Sequence, residues 1–189
     1  MKMKKCGCDG PYGCYAVAMS RIGFGYDSHR FVTGRPLVLG GVRVAYELGL
    51  AGHSDADAVL HAVIDALLGA AGLGDIGEHF PDRDERFRGA DSAVLTTHAV
   101  GLVAAAGFHV GNCDVTIVTQ QPKLGPYKHA MRNRIAELLN VDPTQVNVKA
   151  KTNENMGWIG QGEGLAATAV VLLDGDTRNP NDETPMTNQ

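Results

Sequence analysis

The stretch from Gly52 to Gly77, GHSDADAVLHAVIDALLGAAGLGDIG, constrains the chain more than any other. Val59, Leu60, Val63, Ile64, Leu67 and Leu68 recur in pairs four apart, one apolar stripe of an amphipathic helix. Ser54 or Asp55 can cap its start, and Gly72 and Gly74 can end it. Off the stripe, Asp57, His61 and Asp65 follow at intervals of four and share a second face. His53 and Ser54 stand at the N-terminal mouth, where free N–H groups and the helix dipole favour an anion. The helix therefore combines a face to bury with an imidazole set between carboxylates, which a purely structural helix does not need.

The rest of the chain alternates strand and helix signals. RIGFGYDSHRF, from Arg21, reads as a strand on which Asp27 and His29 share a face. PLVLGGVRV is a hairpin around Gly40 and Gly41. Leu73 to Asp91 is a Gly/Asp-rich loop long enough to be functional. A second helix is predicted over Ser92 to Ala106, capped by Asp91 or Ser92 and stopped by Gly107. A strand is predicted at Asn112 to Gln120, and a helix at Tyr127 to Leu139 with Pro126 in its first turn. Strands at Val146 to Thr152 and Leu165 to Leu173 flank the glycine-punctuated loop NENMGWIGQGEG. Alternation over one domain predicts an α/β (α+β) sandwich, a sheet with helices packed on one face.

With 189 residues, 44% of them hydrophobic, the chain suffices for one domain with a full core plus tails. The predicted division is a leader over 1–20, a domain over 21–174 and a disordered polar tail over 175–189. A net charge of −4 without a basic cluster argues against a nucleic-acid partner, and no apolar run reaches the length of a membrane span. Of four cysteines, Cys6, Cys8 and Cys14 crowd the start and Cys113 is alone. A disulfide scaffold would spread them, so the expected compartment is the cytoplasm.

Three constellations carry chemistry. Asp27, His29 and His61 offer a carboxylate and two imidazoles, the three-ligand pattern of a catalytic zinc site, although Asp-x-His is also an ordinary hydrogen-bonded pair. Asp65, Asp75 and Asp82 could accept hydrogen bonds from a diol, or serve as turn residues beside glycine. Lys123 could hold a phosphate as a point charge, and Glu154, near Lys151 and Thr152, could share a hard cation with phosphates and water. Each could equally be a solvated surface residue. A metal-dependent phosphohydrolase and a non-enzymatic nucleotide-binding module with structural zinc stand as rival readings.

Taken together and in order, GYDSH, HSDADAVLHAVIDALLGAAGLGDIG, HFPD, DVTIV, PKLGP, VNVKAKT and the loop ending GEG resemble the 2-C-methyl-D-erythritol 2,4-cyclodiphosphate synthase family. The resemblance covers about Arg21 to Asp174. It implies a homotrimer around an internal apolar cavity, with active sites between subunits. It implies conversion of 4-diphosphocytidyl-2-C-methyl-D-erythritol 2-phosphate to the cyclic diphosphate with release of CMP, in the non-mevalonate route to isoprenoids. Asp27, His29 and His61 match its Zn²⁺ ligands, and Glu154 matches the ligand of Mg²⁺ or Mn²⁺ on the substrate diphosphate.

The same resemblance makes His53, Asp65, Lys123 and Thr152 catalytic residues. It places Asp27, His29, His53, Ser54, Asp75, Gly77, Phe80 and Asp82 against the substrate's phosphates and methylerythritol. Thr119, Pro122, Lys123, Leu124, Gly125, Ala150, Lys151, Thr152 and Glu154 match the cytidine-diphosphate part, contributed by a neighbouring subunit. Lys151 stands where some relatives carry Thr. In several relatives an aromatic residue and an Arg before GEG bind a prenyl diphosphate in the central cavity. Trp158 fits the first position, whereas Gln161 replaces the Arg.

Overall fold

The computed structural model describes residues 19–81, 84 and 89–175. Asp82, most of the leader and the tail lie outside the described residues. Among the described residues the strands are β1 (Ser20–Val32), β2 (Leu37–Leu39), β3 (Val42–Val44), β4 (Gly49–Leu50), β5 (Phe108–Val118), β6 (Val146–Lys151) and β7 (Gly164–Gly175). The helices are α1 (Ala58–Ala71), α2 (Ile76–His79), α3 (Ser92–Ala105), α4 (Lys128–Leu139) and α5 (Gly157–Gly160).

Five strands form one sheet in the order β4-β1-β7-β5-β6, and β2 and β3 form the predicted hairpin beside it. β7 runs antiparallel to both β1 and β5, while β5 and β6 are parallel and joined through α4. That parallel pair requires a crossover, which α4 supplies. The helices cover one face of the sheet. Along β1, Gly23, Gly25 and Phe31 are buried on that face, whereas Ile22, Phe24 and Tyr26 are exposed on the other. β7 continues the division, with Leu165, Ala167, Ala169, Val171 and Leu173 buried and Val170 exposed. Period-two alternation is what a sheet with one helix-covered face demands.

α1 lies against β1 and β7, and its burial exceeds the predicted stripe. Ala58, Ala62, Ala66 and Ala70 are buried as well. The reason is close approach. A Cβ added at Gly23 or Gly25 would lie 1.9 Å from the carbonyl oxygen of Ala66 or Ala62 respectively. The bare glycine backbone lets the helix sit on the strand, which turns small alanines into core residues. His61, Asp65 and Gly69 are the breaks in this coat.

The cap of α1 is Asp57, not Ser54 or Asp55. Its carboxylate accepts the N–H groups of Val59 and Leu60 at 3.0 and 3.1 Å. It also accepts Gly40 N–H at 2.8 Å and Gly41 N–H at 2.6 Å. Both glycines have positive φ, 59° and 69°, as a tight two-residue hairpin turn requires. Asp57 is fully buried, so it leaves the polar face predicted for it beside His61 and clasps the hairpin tip instead.

Other boundaries moved for local reasons. The loop after Leu73 contains α2, capped by Asp75, whose side chain accepts Glu78 N–H at 3.0 Å. α4 starts at Lys128 because Pro126 sits in a preceding 3₁₀ turn, Gly125–Tyr127. The predicted strand at Asn112 starts at Phe108 and ends at Val118, while β7 gains Gly164, Asp174 and Gly175. The two-residue β4 and the single-turn α5 carry too few residues to show a period. Ser20, placed in the leader by sequence, belongs to β1 and donates to Asp174 Oδ1 at 2.7 Å.

Candidate active site

Strand β1 presents Asp27 and His29 on its helix-covered face, and α1 presents His61 one turn from its start. Asp27 Oδ2 lies 2.9 Å from both His29 Nε2 and His61 Nδ1. The two imidazole nitrogens are 3.4 Å apart. Among the described residues these three form the group of ligand-type side chains that could hold a metal ion. The donor set fits a borderline-soft divalent cation, two imidazoles and a carboxylate being zinc-type ligands. Burial alone would raise the Asp27 carboxyl, but hydrogen bonds and charge from His29 and His61 hold it far below the usual carboxylate range. Burial would lower His29, and the Asp27 carboxylate outweighs it, so the imidazole is shifted upward. The nearby Ala51 carbonyl adds to that upward shift.

This cluster lines a cavity of about 550 Å³ together with Gly52, His53, Ser54, Asp65, Ile76, Gly77, Phe80, Pro81 and Leu95. Asp65 Oδ1 accepts Ile76 N–H at 2.8 Å, tying α1 to the start of α2. Burial, aided by the charges of Asp75 and Asp27, pushes the Asp65 carboxyl up against the pull of that N–H. His53 Nε2 is buried without a hydrogen-bond partner among the described residues. Ser54 Oγ lies 3.2 Å from His61 Nε2 and accepts Ala56 N–H at 3.1 Å. At the predicted anion mouth Asp57 already takes the N–H groups of Val59 and Leu60. Any anion bound by His53 and Ser54 therefore meets the loop before the helix, not its dipole.

A family model described as the YgbB family matches residues 20–174. The chain belongs to the YgbB family. A relative from Symbiobacterium thermophilum, named 2-C-methyl-D-erythritol 2,4-cyclodiphosphate synthase, is 58% identical over 154 residues, covering 82% of this chain and 98% of the relative. A solved structure of a synthase of that name in its CDP-bound form is 42% identical, with a TM-score of 0.75, over 82% of this chain and 100% of that one. The bifunctional IspDF from Campylobacter jejuni is 43% identical, with a TM-score of 0.81, over 84% of this chain and 43% of that longer chain.

The YgbB fold divides the sequence-predicted residues into two groups. Asp27, His29, His53, Ser54, His61, Asp65, Gly77 and Phe80 meet in the cavity. Asp75 is exposed at the α2 cap, beside the cavity residue Ile76 but not lining the cavity. Thr119, Pro122, Lys123, Leu124, Gly125, Ala150, Lys151, Thr152 and Glu154 do not line it. They lie at or just beyond the ends of β5 and β6, where Thr119 N–H donates to the Lys151 carbonyl at 3.0 Å. Lys123, Lys151 and Glu154 are exposed there. Thr152 Oγ1 donates to Glu154 Oε1 at 2.6 Å, so these two predicted residues do act as a pair. Trp158 lines a shallower pocket with Ser28, His29, Arg30 and Glu163, and Gln161 is exposed outside it.

Three residues with site contacts escaped the sequence reading. Arg35 donates to the carbonyls of Gly52 (2.6 Å) and Ser54, holding the loop that carries His53. Of Asp55 and Ser92, both taken for helix caps, Ser92 reaches the far side of His61 and Asp55 holds Ser92. A detectable signal existed for Ser92: a polar residue that opens the face a helix buries needs a buried partner.

Proposed function

We propose that this chain converts 4-diphosphocytidyl-2-C-methyl-D-erythritol 2-phosphate to 2-C-methyl-D-erythritol 2,4-cyclodiphosphate and CMP, a step of non-mevalonate isoprenoid synthesis. The observation that carries the reading is the Asp27–His29–His61 cluster inside the cavity lined by His53, Ser54 and Asp65. The reaction is intramolecular attack of the 2-phosphate on the β-phosphate. Two such anions about 5 Å apart repel by roughly 3 kcal/mol at an effective dielectric of 20. Asp27 and Asp65 add negative charge beside them. A divalent cation bound by Asp27, His29 and His61 would supply Lewis-acid polarisation of a phosphoryl oxygen and offset this charge. Zn²⁺ suits that donor set, and Mg²⁺ or Mn²⁺ suits Glu154, where a lone carboxylate would share the ion with substrate phosphates.

The chain's own residues supply position and a dry wall. His53, whose Nε2 has no partner among the described residues, and Ser54 line the cavity and would contact the phosphates. Asp65, pinned by Ile76 N–H, accepts from a substrate hydroxyl, with Asp75 and Gly77 beside it. Ile76, Phe80, Pro81 and Leu95 exclude water, which favours ring closure over hydrolysis. No protein general base is required, because the attacking phosphate is already ionised, so catalysis rests on proximity.

The homotrimer belongs to the same proposal. Ile22, Phe24, Tyr26 and Val170 expose an apolar sheet face that a monomer would leave wet. Assembly through that face would bring Thr119, Lys123, Thr152 and Glu154 of one copy toward the cavity of the next, as a cytidine-diphosphate site. An enclosed cavity on the three-fold axis would include Trp158, and Gln161 in place of Arg would leave it a poor prenyl-diphosphate site. Among the described residues no helix is long and apolar enough to cross a membrane. The proposed location is the cytoplasm, from the cysteine pattern.

Phosphorus NMR of the product formed with zinc and magnesium tests the reaction. The cyclic diphosphate with CMP is expected. A linear 2,4-bisphosphate with CMP, formed by water in place of the 2-phosphate, would instead establish the phosphohydrolase. Light scattering on the same sample is expected to give three times the chain mass.

A further inference from the structure

His61 has two ring nitrogens, and its chemistry depends on which one carries the proton. Nδ1 faces Asp27 and His29. Nε2 faces Ser92 Oγ at 2.9 Å and Ser54 Oγ at 3.2 Å. Ser92 is completely buried, so its hydroxyl has no water to turn to. It lies 2.5 Å from Asp55 Oδ1, and Ser92 N–H donates to Asp55 Oδ2 at 3.1 Å. Asp55 Oδ1 also accepts Asp57 N–H at 3.2 Å.

On the Nε2 side the proton inventory closes in one way. A carboxylate only accepts, so the short contact to Asp55 uses the single proton of the Ser92 hydroxyl. Having donated, that oxygen can only accept from His61, which requires the proton on Nε2. Nδ1 is the nitrogen left for the Asp27 and His29 side, where it meets Asp27 Oδ2 through the hydrogen bond of 2.9 Å or, with a metal bound, turns its lone pair to the ion. We propose that Asp55 and Ser92 are positioning residues that fix the His61 tautomer, keeping Nδ1 ready as a metal ligand. Neither residue touches the cavity. Both act through His61, as outer partners of ligating histidines do elsewhere.

The arrangement has a structural logic. Asp55 precedes α1 and Ser92 opens α3, while His61 belongs to α1. Asp55 N–H also donates to the Ala90 carbonyl at 3.1 Å, so two consecutive links tie the loop before α1 to the start of α3. The proton-bearing side of the imidazole thus rests on a seam between two helices. The Nδ1 side faces the strand.

The inference rests on Asp27, His29 and His61 being the metal ligands, and the test separates the two. Zinc affinity is measured by competition with a coloured chelator for the parent, His61→Ala, Ser92→Ala and Asp55→Asn. Loss of binding in His61→Ala supports the ligand assignment, and retained affinity there overturns it. Asp55→Asn places an amide where a donor must be met, so a loss of about ten- to hundredfold is expected. Ser92→Ala leaves Ser54 Oγ to accept from Nε2, so its loss is smaller than that of Asp55→Asn. Melting of the metal-free proteins identifies a variant that fails to fold. Nitrogen-15 NMR of the histidine-labelled, zinc-loaded parent reads the His61 tautomer without any substitution. A proton on Nε2 of His61 supports the assignment. A proton on Nδ1, or zinc affinities of folded Ser92→Ala and Asp55→Asn both within twofold of the parent, overturns it.

Discussion

Replacing Gly25 by Ala is expected to damage both stability and the metal cluster through one steric contact. The new Cβ would lie 1.9 Å from the Ala62 carbonyl oxygen, 2.8 Å from Ala66 N and 2.9 Å from the Ala62 carbonyl carbon. These are helix backbone atoms, which cannot rotate away as a side-chain end could. An ordinary carbon–oxygen contact is about 3.3 Å, so β1 and α1 would have to part by about 1.4 Å. Overpacking of this kind costs about 3 kcal/mol, near the upper end of its usual range. For a domain of this size that lowers Tm by roughly 6–12 °C.

The same displacement separates the ligands. Asp27 and His29 ride on β1 while His61 rides on α1, one residue before Ala62. Their spacings of 2.9 Å leave no slack for such a shift. Misplacement by an ångström costs about a hundredfold in rate. Gly69→Ala is the control in the same helix. No atom lies within 4 Å of a Cβ there, so helix propensity alone should add about 0.5–1 kcal/mol. Thermal melts and zinc titrations of the two variants measure both effects. A Gly25→Ala protein with the parent's Tm and zinc affinity would refute the close-packing argument, whatever its activity.

Cys113 is 1% exposed, and burial, with the Asp114 charge, pushes its thiol up to about 12. It should stay unmodified by iodoacetamide at pH 8 in the native protein and react fully in urea, as peptide mass mapping would record. A chain starting at Met19 should keep the parent's Tm, because Gly175 N–H donates to the Met19 carbonyl at 2.9 Å, whereas removing Met19 and Ser20 should lower it. Differential scanning calorimetry decides between them. Slight burial works against Asp114, but the Lys149 ammonium and Asn147 amide hold its carboxyl below the usual range. A depressed folded pKa contributes stability above the unfolded value, and that contribution fades as pH falls through the folded one. Lys149→Ala should therefore cost under about 1 kcal/mol at pH 7, given the pair's exposure, and progressively less below about pH 4. Urea melts at both pH values read the difference.

Periodicity and punctuation alone determined much of this protein. The pairs from Val59 to Leu68 specified a buried helix, the Gly40-Gly41 turn specified a hairpin, and the alternation along β1 put Asp27 and His29 on one face. Those signals are local, since each element carries its own period. The meeting of Asp27, His29 and His61 was legible for the same reason, one strand face and one helix face each carrying a matched polar set. What a side chain does with a distant partner has no such period. Asp57 looked like a companion of His61, yet the positive-φ turn at Gly40 and Gly41 presents two N–H groups to it, and a buried carboxylate is stabilised by taking them. Asp55 and Ser92 looked like caps until the packing of α1 beside α3 brought Ser92 to the His61 imidazole and Asp55 to Ser92. The closeness of α1 to β1, the division of the predicted site into a cavity group and a β5–β6 group, and the proton side of His61 all depend on contacts between residues far apart in the chain. Such contacts exist only once the sheet has brought the strands together, which is why the tertiary structure decided them.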